Sequence, residues 1–174
     1  MPEDGSPIQA RNEDLAVAVE EKLKKLGLSL PPPAEPSYQY VPVTIHAGVA
    51  YVSGQLPKEN GEVRITGKVG DAVDAEAAQR AARICILQGL SCLKAAIGSL
   101  DNVEQILKVT GFVASAPGFT QQPRVIDAAS NLLSELFGER GRHARSAVGV
   151  SELPRNAPVE IEMVVAVRAK GAAQ

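Results

Sequence analysis

Aromatic side chains are scarce in this chain: Tyr and Phe number three each, Trp is absent, and together they make up 3% of the residues. A stacking platform for bases or sugars is therefore poorly supplied, and aliphatic packing must build the core. Cysteine is as sparse. Cys85 and Cys92 lie seven residues apart in a segment with helical character, so their Cα atoms stand about 10 Å apart along the axis and cannot pair. Two free thiols are consistent with a reducing compartment. The two histidines, His46 and His143, are far apart and form no ligand spacing, so no metal and no cofactor is expected. A surplus of one charge is missing too. The 18 basic residues are offset by 20 acidic ones for a net charge of −2, without the basic face that a nucleic-acid partner requires. No run approaches the roughly 18 apolar residues of a membrane span. The opening MPEDGSPIQARNEDL lacks the basic and apolar regions of a secretion signal. A cytoplasmic protein with no membrane partner is the expectation.

What is present suits a soluble globular chain. The 174 residues are 45% hydrophobic and 22% charged, enough for one domain and an additional segment. Residues 1–12 are expected to form a disordered leader. From Glu13 to Leu26, Leu15, Val19, Leu23 and Leu26 fall on one stripe, which predicts an amphipathic helix with Asn12 as its cap and Gly27 as its stop. Pro31, Pro32, Pro33 and Pro36 then forbid helix and central strand. Residues 13–37 thus read as an N-terminal helix and Pro-rich linker, 38–170 as the main domain and 171–174 as a tail.

Within 38–170, VPVTI and VAYVS flank Ala47-Gly48 and predict a hairpin or two consecutive strands. A long helix follows from about Asp74 to Ile97, then a strand over Gln105–Ser115 with Gly111 as a candidate bulge, then a helix over Pro123–Phe137. Two β runs close the chain, Ala144–Leu153 and Val159–Arg168. This order predicts an α+β fold, a mixed β-sheet with two helices packed on one face. Two helices on one side cannot cover a sheet that is apolar on both faces, so self-association is expected.

Chemistry concentrates on the last two strands. Alternation over Ala144–Val150 sets Arg145, Ala147 and Gly149 on one face and Ser146, Val148 and Val150 on the other. An Arg beside two minimal side chains has open space around it. Its planar fork suits a carboxylate bidentately, although a solvated edge residue or half of a structural ion pair would look the same in sequence. On the last strand Glu160 and Glu162 share one face, opposite Val159, Ile161 and Met163. They could approach a ligand or form a charged sheet rim.

HARSAVGVSELPRNAPVEIEMVVAV resembles the C-terminal signature of the YjgF/RidA family, an Arg-Ser-x-Val-x-Val strand, a Leu-Pro turn and a Val-Glu-Ile-Glu strand, and YVSGQLP resembles the family's Ser-Gly-Gln-x-Pro turn. The resemblance covers roughly residues 40–168. The N-terminal helix and GERGRHARSAVGV look like the family's longer branch. The resemblance implies a chorismate-mutase-like fold assembled as a homotrimer with clefts between subunits. It also implies cofactor-free hydrolysis of 2-imino and enamine acids to 2-keto acids and ammonia. On this basis Arg145 is the clamp for the carboxylate of a small metabolite and Glu160 the group that orients the attacking water. Tyr40, Ser53 and Gly54 line the cleft, and Asp127 stands where relatives often carry Asn. Two departures are plain: Ala147 replaces a Cys of many compact members, and an acidic Asp127 would repel a substrate carboxylate. A noncatalytic, metabolite-binding or regulatory trimer is the alternative, and the family's endoribonuclease label is disfavoured by the missing basic surplus and the lack of a His pair.

Overall fold

The structure, a computed structural model, describes residues 18–35 and 39–168. The proposed leader, the Asn12 cap and the C-terminal tail lie outside the described residues. Helix α1 is described over Val19–Lys25 and buries Val19 and Leu23. Both belong to the same hydrophobic core as the rest of the chain. The linker follows without regular structure and is held to the long helix by Ser91, whose hydroxyl donates to the Pro31 carbonyl.

Strands β1 (Val43–His46) and β2 (Val49–Gln55) form a hairpin across Ala47 and Gly48, both at positive φ. A two-stranded ribbon, β3 (Lys58–Glu59) and β4 (Glu62–Val63), comes next. The sequence gives little signal for it, because its strands have two residues each and turn at Asn60-Gly61. Helix α2 spans Ala75–Ile97, with the Asp74 side chain accepting from the Ala77 N–H and Gly98 ending it at φ 86°. Strand β5 (Val103–Ala114), helix α3 (Gln122–Phe137), strand β6 (Ala144–Val150) and strand β7 (Val159–Val167) complete the order.

The main sheet runs β1-β2-β7-β5-β6, with β5 and β6 parallel and all other pairs antiparallel. It is thus a mixed sheet with three helices in an α+β arrangement: the two expected on the sheet, and the expected N-terminal helix, which joins the same core. Along β7 the residues Val159, Ile161, Met163, Val165 and Val167 are buried toward the helices, while Glu160, Glu162, Val164 and Ala166 turn the other way. Small residues on α2, including Ala78, Ala81, Ala82, Cys85 and Gly89, let the helix lie close to the sheet. At Gly89 a Cβ would stand 2.7 Å from the Met163 methyl. The far face leaves Tyr51 and Val148 exposed at 51% and 43%. Among the described residues no helix is long and apolar enough to cross a membrane.

Gly111 is not a bulge. It pairs in register with both Ala147 and Ile161, and the irregularities of β5 lie earlier, between Val103 and Gln105 and between Ile106 and Lys108. The glycine is required by packing: a Cβ there would lie 2.5 Å from Cδ1 and 2.6 Å from Cγ1 of Ile126, a fully buried side chain with no room to withdraw. Gly111→Ala is expected to cost about 1–3 kcal/mol, as overpacked cores do. Urea unfolding should recover part of that loss in the Gly111→Ala/Ile126→Val double variant, which removes the nearest carbon.

Candidate functional site

Tyr40, Ser53, Gly54 and Glu160 line one cavity of about 570 Å³. The remaining walls come from the linker, from Gln88 on α2, from Lys58 and the turn of the β3–β4 ribbon, and from Pro154 and Arg155 between β6 and β7. The β2–β7 register slips between Val52 and Gln55, which sets the Ser-Gly-Gln turn apart from the regular ladder beside Glu160. Gln55, buried at the end of β2, braces this turn by donating from Nε2 to the Ser53 carbonyl at 3.1 Å and to Ser53 Oγ at 3.2 Å.

Gly54 is what gives the carboxylate its seat. A Cβ at this position would lie 1.9 Å from Glu160 Oε1 and 2.9 Å from its Cδ. Burial pushes the Glu160 carboxyl above its ordinary range, and repulsion from Glu162 adds to the effect. A carboxylate so placed holds a proton more tightly than a free one and is a better proton acceptor at neutral pH. The buried Cys85 thiol, which donates to the Val159 carbonyl, is likewise pushed up, first by burial and then by the charge of Glu160. It is packing, not a nucleophile.

Arg145 and Asp127 lie elsewhere. Arg145 pairs with Val109, which pairs with Met163, a row that faces the helices, whereas Glu160 pairs with Phe112, which pairs with Val148, on the opposite face. Within one copy the guanidinium and the carboxylate therefore point away from each other. The expected open space around Arg145 is also occupied: Ala147 packs against the core, and Gly149 approaches Gln122 at the start of α3. Arg145 reaches α3 itself, donating from Nη1 to Asp127 Oδ1 at 2.8 Å and to Ser130 Oγ at 3.1 Å. The ion pair left open by sequence is thus formed, with Asp127 half-exposed and Arg145 more enclosed.

Ser130 and His143 were not visible as site residues in the sequence, since a lone Ser on a helix and a lone His carry no motif. His143 Nδ1 lies 2.6 Å from the Gly141 carbonyl and its Nε2 3.0 Å from Ser130 Oγ. A carbonyl only accepts, so Nδ1 carries the hydrogen, and in the neutral imidazole Nε2 accepts from the Ser130 hydroxyl. The serine oxygen is then free to accept from Arg145. Asp127 and Ser130 together engage one nitrogen of the guanidinium and leave its Nη2–Nε edge for a second carboxylate.

The profile of the family described as Endoribonuclease L-PSP matches residues 32–167. The chain belongs to this family, which is also the YjgF (Rid) family. Among its relatives, the Protein TCP17 of Trypanosoma cruzi is 44% identical over 144 residues, 82% of this chain and 90% of that protein. A Lactococcus lactis protein named as a regulator, AldR, is 32% identical over 74% of this chain and 87% of its own length. Among solved structures, a protein of unknown function from Agrobacterium tumefaciens superposes with a TM-score of 0.82 at 46% identity, covering 90% of this chain and 98% of that one. The YjgF gene product of Escherichia coli gives 0.53 at 25% identity, covering 81% and 96%.

In this family member the Glu160 shift has a consequence for stability. The native carboxyl binds its proton more tightly than the unfolded chain does, so the native state holds more protons between the ordinary carboxylate range and the raised value. Stability must therefore fall as pH rises through that window and stay lower above it. Glu160→Gln should melt at a higher temperature than the parent at neutral pH, with the gap closing below the ordinary carboxylate range. A gap that is independent of pH would mean that the glutamate is not strained by its surroundings.

Proposed function

We propose that this protein hydrolyses reactive 2-imino and enamine acids to 2-keto acids and ammonia, at sites completed by a second copy within a homotrimer. The observation that carries this reading is the Glu160 carboxyl, raised in proton affinity and seated over Gly54 in a cavity shared with Tyr40 and Ser53. The imine is already electrophilic. Fixing its carboxylate and presenting a water at C2 within about 3–3.5 Å supplies most of the required acceleration. As the water oxygen bonds to C2, Glu160 accepts a water proton and the C=N π pair moves to nitrogen, which takes that proton to give a carbinolamine. Its hydroxyl proton then passes by way of Glu160 to the nitrogen as the C–N bond breaks, the C2 carbonyl forms and ammonia leaves. Arg145 holds the substrate carboxylate through its free edge, brought to the cavity from the neighbouring copy because its own Glu160 lies on the other side of the sheet. Exposed Tyr51 and Val148 support self-association on that face.

The second reading is a noncatalytic trimer that binds a small carboxylate or regulates through it. Asp127 favours it, since its carboxylate already neutralises much of the Arg145 charge. Tight binding of a 2-keto acid without turnover of any imine would select this reading. Ribonuclease activity, suggested by the family's description, is the least supported, because His143 is committed to Ser130 and Gly141 and the chain has no basic surplus.

2-Iminobutyrate generated in place by a threonine dehydratase should yield 2-ketobutyrate faster with the protein than without it. Arg145→Ala should lower kcat/KM roughly a hundredfold, the loss of a charge-assisted pair. Full activity in that variant would rule out Arg145 as the clamp.

A further inference from the structure

The cavity that holds Glu160 contains two cations that the hydrolysis of a simple imino acid does not use. Arg155 enters it from the turn between β6 and β7, and Lys58 from the β3–β4 ribbon. Neither has a carboxylate within ion-pair distance among the described residues. Arg155 is held at φ 57°, a left-handed conformation that favours glycine, and Asn156 follows at φ 56°. The turn is pinned on both sides, by the Gly67 N–H donating to the Asn156 carbonyl at 2.9 Å and the Ala157 N–H to that of Pro154 at 3.1 Å. Arg155 Nη1 donates to the Gly61 carbonyl of the ribbon at 3.3 Å. A backbone conformation unfavourable for arginine is thus maintained where it sets a guanidinium at the cavity wall. At about 570 Å³ the cavity also falls within the range of about 300–1,000 Å³ typical of drug-sized ligands. A four-carbon imino acid fills only part of it.

We propose that Arg155, assisted by Lys58, is an anchor for a second, distal acidic group, so that the preferred ligands are dicarboxylic 2-imino acids and their 2-keto products. A substrate held at its α-carboxylate by Arg145 of the neighbouring copy and at its far carboxylate by Arg155 spans the cavity and sets C2 between them, beside Glu160. Glu35, on the linker wall of the same cavity, disfavours an anion at that end and leaves the turn as the place for it. The inference rests on the hydrolytic reading only for the identity of the reacting group. The anchor itself is tested by binding alone.

The test compares 2-oxoglutarate with 2-oxopentanoate, two stable ligands of equal carbon length that differ in the distal carboxylate, by calorimetry on the full chain. The parent should bind 2-oxoglutarate at least about tenfold more tightly. Arg155→Met should collapse that preference, and Arg155→Lys should restore part of it. Equal affinity in the parent, no detectable binding of 2-oxoglutarate at millimolar concentration, or an undiminished preference in Arg155→Met would each overturn the proposal. So would an equal loss for both ligands, which would make Arg155 the clamp for the α-carboxylate instead. Imine hydrolysis is measured separately. Turnover of 2-iminobutyrate without dicarboxylate preference refutes the anchor alone, whereas Arg155-dependent preference without turnover of any imine refutes the hydrolytic function alone.

Discussion

The strict alternation of β7, between β2 and β5 in the middle of the sheet, constrains everything around it. Five apolar side chains on one side commit that face to α2 and α3. Every polar residue of the strand is then forced to the other face, and Glu160 with them. Slipping the strand by one residue would drive Glu160 and Glu162 into the helical layer, at the desolvation cost of two carboxylates. The same parity, carried across β5 to β6, sends Arg145 to the helix side. The separation of guanidinium and carboxylate is thus a consequence of sheet geometry, and no side-chain rotation within one copy brings them together.

Two glycines show how closely the chain is fitted to this arrangement. Gly111 lets Ile126 rest on the β5 backbone, which seats α3 against the sheet. That seating carries Asp127 and Ser130 to Arg145. Gly54 does the corresponding work on the far side by leaving room for the Glu160 carboxylate. One glycine therefore supports the Arg145 pairing and the other the Glu160 carboxylate, the proposed clamp and proton acceptor, through packing in each case rather than through backbone conformation.

Much of this was legible in the sequence. The long helix from about Asp74 to Ile97, the order of the large strands and the faces of β6 and β7 all follow from periodicity, which is strong in long elements. The β3–β4 ribbon was not, because two-residue strands have no period, and the third helix of the core was assigned to a separate N-terminal segment because burial of Val19 and Leu23 is a tertiary fact. The role of Gly111 was misread since a glycine in a strand signals either a bulge or a close approach, and only the position of Ile126 decides. In the site, the motifs pointed to Tyr40, Ser53, Gly54 and Glu160, which do share a cavity. Ser130 and Lys58 belong to no motif, and His143 and Arg155 lie in the quoted C-terminal segment outside its signature positions; all four become visible only when the fold brings distant segments together.

The central claim is that clamp and proton acceptor come from different copies of the chain. Arg145→Ala and Glu160→Gln, each strongly impaired alone on 2-iminobutyrate, would be mixed, dissociated in mild denaturant and reassembled. A shared site predicts that activity reappears in the mixture, because some interfaces then pair an intact Arg145 with an intact Glu160. Mixed oligomers that form but remain inactive would contradict the account.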